Sequence, residues 1–177
     1  MVIPGFVLAG GESKRMGRNK ALIRINGVAM ASRAASVLHD AGCRPVALVG
    51  RQPQLDGLGW PVHRDCAPGH HPLFGIAAAL QACTSELALF TPCDLVGLKP
   101  AHIALLLQQE SPCVAEGSNG RHPLLAVLPT SAISAARELA KAGAPAHKLV
   151  EHLPALRLPD SALVDVNRPL DLPLTSE

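Results

Sequence analysis

The sequence predicts an α/β fold: a three-layer α/β/α sandwich, with helices on both faces of a mostly parallel sheet. Three observations carry this expectation. Segments of strand character (Ile3 to Ala9, Val46 to Val49, Glu86 to Thr91) alternate with segments of helical spacing from the N-terminus to about residue 110, the pattern of βαβ units. The run Val46-Ala47-Leu48-Val49 is apolar without interruption, as a parallel strand covered on both faces requires. Rings are scarce, with three Phe, one Trp and no Tyr, so the core is built from Ala, Leu, Val and Ile, which suits close helix-on-sheet packing. At 177 residues, with no repeat, low-complexity tract or linker, one domain spanning 1–177 is expected.

Taken in order, the buried run Ile3 to Ala9 leads directly into Leu8-Ala9-Gly10-Gly11-Glu12-Ser13-Lys14-Arg15-Met16-Gly17-Arg18-Asn19-Lys20. Ala21 to Ile25 is a short apolar segment ended by the turn dipeptide Asn26-Gly27. Met30 to Ala41 is helical: Ala31, Ala34, Ala35, Val37, Leu38 and Ala41 form one apolar face, and Gly42 stands where a helix-terminating glycine belongs. The Pro45 to Gly50 strand is followed by a turn-rich connection over Gln52 to Trp60, then by a short strand, Pro61 to His63, leading to Asp65. Cys66 to Pro72 is a loop, and Leu73 to Cys83 an alanine-rich helix. Glu86 to Thr91 is a strand ended by Pro92-Cys93-Asp94, and Pro100 opens a helix running to Gln109. Pro112 to Glu116 and Pro123 to Leu128 are strands joined in hairpin fashion through Ser118-Asn119-Gly120-Arg121, which makes the sheet mixed. A helix over Ser131 to Ala142 ends at Gly143, and Leu163 to Val166 is expected as the last strand. Ligands in such a sheet bind at the carboxyl ends of the strands, where the glycine-rich loop, Asp65 and Asp94 all lie.

The first loop is the chemical centre. Glycines let the backbone approach a ligand closely with amides turned inward, and successive inward amides make an anion-binding concavity. Lys14, Arg15, Arg18 and Lys20 add positive charge around it. The P-loop pattern fails because Arg15 and Met16 stand where Gly-Lys is needed, and the dinucleotide fingerprint fails because Gly10 and Gly11 are adjacent. A triphosphate carries about four negative charges, each attracted to a cation near 4 Å by roughly 4 kcal/mol at an effective dielectric of 20. Several cations and a metal are therefore expected around it. Lys20 is the candidate phosphate-holding cation, and otherwise a snorkelling surface lysine. Asp94, immediately after an apolar strand, is a candidate hard oxygen ligand for Mg²⁺, and otherwise a cap for the next segment. Asp65 stands in a similar place and has the same two readings.

Other chemistries are excluded or weakened. A net charge of +2 is too small for a nucleic-acid surface, and the scarcity of rings speaks against base-stacking platforms. No run of about 18 apolar residues exists, so no membrane span is expected. The N-terminus lacks a signal-peptide pattern, and Cys43, Cys66, Cys83, Cys93 and Cys113 never form C-x-x-C, so free thiols and a cytoplasmic location are expected. The eight histidines form no zinc pattern, His70-His71 reading as solvated loop residues. No Gly-x-Ser-x-Gly elbow occurs. Arg51, just after a strand, could read a 2′-phosphate, but the matching glycine fingerprint is missing.

Residues 8–20, read as Leu-Ala-Gly-Gly-x-Ser-x-Arg-Met-Gly-x-x-Lys, resemble the signature of nucleotidyltransferases with a small Rossmann-like fold, and among them the molybdenum cofactor guanylyltransferases. Val62-His63-Arg64-Asp65, Pro72-Leu73-Phe74-Gly75, Pro92-Cys93-Asp94, His122-Pro123-Leu124 and Val164-Asp165-Val166-Asn167-Arg168-Pro169 agree in order, so the likeness spans nearly the whole chain. The resemblance implies transfer of GMP from GTP to the terminal phosphate of molybdopterin, with pyrophosphate released and Mg²⁺ required. It implies that Leu8, Ala9, Gly10 and Gly11 line the nucleotide pocket, that Asp65 contacts the nucleotide and that Arg15 and Lys20 act on phosphate. Asp94 would bind the metal, and His122 and Asn167 would lie near the acceptor. Transient contact with other proteins of molybdenum-cofactor synthesis is a further implication. The family commonly has an Asn near the end of the second long strand, where this chain has Val49, Gly50 and Arg51. Two other readings stay open: a relative using CTP or a sugar-phosphate acceptor, and a non-catalytic nucleotide-binding module.

Overall fold

The structure, a computed structural model, describes residues 2–10, 19–64 and 71–166. In chain order the elements are β1 (Gly5–Leu8), β2 (Arg24–Ile25), β3 (Val28–Ala29), α1 (Met30–Asp40), β4 (Val46–Val49), β5 (Val62–His63), α2 (Pro72–Gln81), β6 (Leu87–Pro92), α3 (Pro100–Leu107), β7 (Cys113–Gly117), β8 (Gly120–Pro129), α4 (Ile133–Lys141), α5 (His147–Val150) and β9 (Ala155–Arg157). The main sheet has seven strands in the order β5-β4-β1-β6-β8-β7-β9. β5, β4, β1 and β6 run parallel, β8 is antiparallel to both its neighbours, and β9 is parallel to β7. The sheet is therefore mostly parallel, with β8 the one reversed strand.

Side-chain alternation decides what packs where. Val7, Val46, Leu48, Leu87, Leu89, Cys113 and Val127 point to the face covered by Ala31, Ala35 and Leu38 of α1 and by Ile103 and Leu106 of α3. Their strand neighbours Phe6, Leu8, Ala47, Val49, Ala88, Phe90 and Val114 point to the other face, covered by α2, α4 and α5 through Leu73, Ile76, Leu80, Ala136 and Leu149. These are the three layers. Small residues set how close the layers come: a Cβ on Gly75 of α2 would lie 3.1 Å from Val49 Cγ1, so the helix sits directly on the strand.

The Asn26-Gly27 turn closes a two-stranded ribbon, β2 on β3, with φ of 51° and 77°, the pair of positive values that a tight hairpin demands. Two expectations change towards the C-terminus. Leu163 to Val166 is not a strand; within it only Asp165 pairs, in an isolated antiparallel bridge to Leu95. The outer strand is instead β9, which pairs in parallel with β7, and the four-residue α5 precedes it. Three residues of no marked periodicity carry no local strand signal, so this pairing is set by tertiary contact.

The register places the site. Leu8 at the end of β1 faces both Val49 of β4 and Pro92 of β6, so three parallel strands finish level. Everything that follows them in sequence emerges at one edge.

Candidate active site

At that edge β1 hands over to backbone. Leu8 and Ala9 are buried, their side chains committed to opposite faces of the sheet, and Ala9 N–H donates to Val49 O at 2.8 Å. Only their main chain is available to a ligand. Gly10 is exposed beside Gly50: a Cβ there would meet Gly50 Cα at 3.6 Å and Val49 O at 3.8 Å, ordinary contacts. Among the described residues, packing therefore does not demand glycine at position 10. Gly50 differs. A Cβ would meet Leu55 Cδ1 at 2.7 Å, Gln52 Oε1 at 3.2 Å and the Ala9 carbonyl carbon at 3.3 Å, so a side chain there would have to displace the ends of Leu55 and Gln52 and press on the Ala9 main chain.

Lys20 opens the short 3₁₀ turn Lys20–Leu22, which Asn19 caps by accepting Ala21 N–H on Oδ1 at 3.1 Å. Its Nζ donates to Asp94 Oδ2 at 3.0 Å, with both side chains about four-fifths buried (18% and 20% exposed). These residues are 74 apart in sequence. The cation at the end of the glycine-rich loop and the carboxylate after β6 thus meet at one point. Asp94 is held from behind: its carbonyl accepts the N–H of Val96 at 3.0 Å and of Val166 at 3.1 Å.

The second of those bonds, with the Leu95–Asp165 bridge, brings a further carboxylate to the place. Burial pushes the Asp165 carboxyl above its usual range and the charge of Asp94 adds to that, while His122 and Lys20 pull the other way. Asp94, Asp165, Lys20 and His122 of β8 therefore form one electrostatic cluster. Asp165 was passed over in the sequence because it lies in a stretch read as strand, between Val164 and Val166. The only signal for it was its membership of the segment Val164 to Pro169.

The structure brings together Leu8, Ala9, Gly10, Lys20, Asp94 and His122 at the carboxyl edge. Gly11, Arg15, Asp65 and Asn167 lie outside the described residues. Cys93, next to Asp94, is no nucleophile: burial first, and the Asp94 charge second, push its thiol up to about 12. His71 is not a solvated loop residue as expected. Its Nδ1 accepts Leu73 N–H at 3.2 Å, capping α2, and its Nε2 meets Ala144 O at 2.9 Å. Since a carbonyl can only accept, Nε2 carries the proton and the ring is the neutral tautomer.

The connection after β4 is stapled by one side chain. Arg64 Nη1 donates to the carbonyls of Arg51 and Gln52 at 3.0 and 3.1 Å, and Nη2 donates to Asp56 Oδ2. Arg51 follows the strand as expected, but no described feature gives it a nucleotide phosphate to read. Among the described residues no group of three His, Cys, Asp or Glu side chains forms a metal cage, and no helix is long and apolar enough to cross a membrane.

Residues 5–157 match the family model for the MobA-like NTP transferase domain. The chain is 34% identical over 149 residues to a probable molybdenum cofactor guanylyltransferase of Opitutus terrae, covering 80% of this chain and 73% of that one. It is 34% identical over 186 residues to one of Pelotomaculum thermopropionicum, covering 95% and 89%. Its fold is similar to that of a molybdopterin-guanine dinucleotide biosynthesis protein A from Archaeoglobus fulgidus, with a TM-score of 0.76 at 20% identity over 96% of this chain and 95% of that one.

Proposed function

Since the chain belongs to the MobA-like NTP transferase family, we propose that it transfers GMP from GTP to the terminal phosphate of molybdopterin, releasing pyrophosphate. The observation that carries this reading is the 3.0 Å meeting of Lys20 Nζ with Asp94 Oδ2 where three parallel strands end. A phosphate-type cation and a metal-type carboxylate at one point suit a nucleoside triphosphate.

The chemistry asks little of the protein in proton transfer. A phosphate monoester has a second pKa of about 6, so the acceptor is largely dianionic at neutral pH and its oxygen is already a nucleophile. No general base is required, in keeping with the inert Cys93 thiol and the capping role of His71. The task is to hold two polyanions in line and offset their repulsion. Lys20 supplies charge to the phosphates, and the main chain from Leu8 to Gly10 forms the floor on which the nucleoside lies. Arg15, Gly11 and Asp65 are assigned to the same nucleotide by family likeness, and His122 and Asn167 to the acceptor.

The donor set fits Mg²⁺, which takes hard oxygens, often one or two carboxylates together with substrate phosphates. Asp94 would hold it, with Asp165 as the second carboxylate beside it. Burial first, and the Asp94 charge second, raise the Asp165 carboxyl, so the two carboxylates lie within electrostatic reach of each other. When bound, the metal supplies the charge that lets the α-phosphate be attacked and the pyrophosphate leave. A cytoplasmic place of action is part of the proposal, supported by the free thiols Cys43, Cys83, Cys93 and Cys113. So is transient contact with the proteins that supply molybdopterin or take up the product.

The test is pyrophosphate release by purified protein with molybdopterin, Mg²⁺ and each of GTP, CTP, ATP and UTP. Release with GTP is expected. Preference for CTP would overturn the guanine assignment, and no release with any nucleotide would overturn catalysis.

A further inference from the structure

Two large hydrophobic clusters fill the layers on either side of the sheet, and a third, much smaller one stands apart from them. It consists of Ile25 of β2, Met30 at the start of α1 and Val166, with the half-buried Ile23 and Val96 packed against them. Its members come from the chain segments that carry the charges of the site. Ile23 and Ile25 follow Lys20, Val96 stands two residues after Asp94, and Val166 follows Asp165 directly. Met30, 1% exposed, is one of the largest fully buried side chains among the described residues.

Main-chain bonds follow the same lines. Met30 N–H donates to Ile23 O at 2.8 Å and Ile23 N–H to Lys20 O at 3.1 Å, so the start of α1 is tied back to the turn that bears the lysine. Val96 N–H and Val166 N–H both donate to Asp94 O, at 3.0 and 3.1 Å. Three residues along α1 from Met30, Arg33 Nη2 donates to Val96 O at 3.1 Å. The helix itself is anchored on the sheet by Ala31, Ala35 and Leu38. Its first turn therefore joins both sides of the Lys20–Asp94 pair to the rigid layers. An unbranched, flexible side chain such as Met fills an irregular gap of this kind. A cluster of only five residues has little else to close over a cavity opened within it.

We propose that Met30 is a positioning residue of this site, its side chain setting the distances among Lys20, Asp94 and Asp165 through Ile23, Val96 and Val166. It acts on its neighbours and not on the substrate. A cavity at Met30 lets the Lys20 turn and the Asp94 turn settle independently of each other. Groups that must hold a triphosphate and its metal in line lose rate steeply when they move by about an ångström. Leu8 and Ala9, by contrast, pack in the two larger clusters, so the floor proposed for the nucleoside does not depend on Met30.

This inference rests on the proposed nucleotidyl transfer, and its test separates the two. Pyrophosphate release with molybdopterin at varied GTP and Mg²⁺ is measured on the full chain and on Met30→Ala, Met30→Leu, Val96→Ala and Leu128→Ala. GTP dissociation constants by calorimetry and melting curves are taken on the same preparations. Leu128 is 1% exposed and pairs with Ala88 near the start of β6, away from the edge where that strand meets the site, so Leu128→Ala opens a cavity elsewhere. Met30→Ala is expected to lower kcat by about tenfold or more. It should also raise the Mg²⁺ concentration for half-maximal rate by about fivefold, with GTP affinity within about threefold of wild type. Met30→Leu, which conserves volume, should recover kcat to within about threefold. Leu128→Ala should melt at a lower temperature and keep kcat within about twofold. Should Met30→Ala not fold, Val96→Ala, which thins the cluster from the Asp94 side, decides by the same split between kcat and GTP affinity. Equal loss of kcat in Leu128→Ala, a Met30→Leu no better than Met30→Ala, or wild-type kcat in Met30→Ala would overturn the role of Met30 and leave the transfer standing. No pyrophosphate from the wild type would overturn both.

Discussion

Gly97→Ala is expected to separate nucleotide binding from transfer. Gly97 lies in the turn after Asp94, and a Cβ there would stand 1.9 Å from Ser161 O, 3.0 Å from Ser161 C and 3.4 Å from Ala162 Cα. Ordinary contact begins near 3.4 Å, so the backbone around Ser161 must retreat by about 1.5 Å (3.4 − 1.9). No side-chain rotamer can absorb this, because the obstacle is main chain. The retreating segment is the 3₁₀ turn Asp160–Ala162, and it leads straight to the Leu95–Asp165 bridge and the 3.1 Å bond from Val166 N–H to Asp94 O. Overpacking costs about 1–3 kcal/mol and each lost backbone bond roughly 1 kcal/mol, for a total of about 2–5 kcal/mol. At about 2–4 °C per kcal/mol for a chain of this size, the melting temperature should fall by roughly 4–20 °C. The floor at β1 and β4 is untouched, so GTP affinity should stay within about twofold. Transfer should drop by about 10- to 100-fold, since displacement of reacting groups by about an ångström costs that much. Urea titration, GTP binding and pyrophosphate release on one preparation test all three. Stability within about 0.5 kcal/mol of wild type, or GTP affinity falling in step with turnover, would refute the reasoning.

Asp94→Ala should reduce pyrophosphate release by about a hundredfold or more while the circular dichroism spectrum and cooperative melting persist; wild-type rates would remove this carboxylate from the chemistry. Chelation with EDTA should abolish release and added Mg²⁺ restore it, and turnover that survives chelation would exclude the metal. Cys43, whose thiol burial pushes up to about 12, should resist alkylation at pH 8 in the native chain and react fully in urea. Because the fold keeps this thiol neutral, its contribution to stability is whole below the unfolded-state value of about 8.5 and is lost as pH rises from there toward about 12; equal labelling of native and unfolded chain would contradict it.

Much of this molecule could be read before it was seen. The unbroken apolar run of β4 announces a strand covered on both faces, and Asn26-Gly27 announces a hairpin, because both are local signals. β9 carries no such signal: Ala155-Leu156-Arg157 becomes a strand because β7 offers it an edge. Leu163 to Val166 has the composition of a strand, but only Asp165 pairs, in a single bridge to Leu95. At the site, Lys20 and Asp94 could each be singled out by position, yet their separation along the chain hides the 3.0 Å contact.

The Arg64 guanidinium, donating to the carbonyls of Arg51 and Gln52 and to Asp56, bears on how selectivity and affinity combine here. A segment tied down along its main chain gives up its freedom as the chain folds, so a nucleotide bound beside it, as proposed, need not order it. Association should then be fast and show a small entropic penalty by calorimetry. Loosening the tie with Arg64→Ala should transfer that penalty to the binding step, lowering the affinity of every nucleotide together.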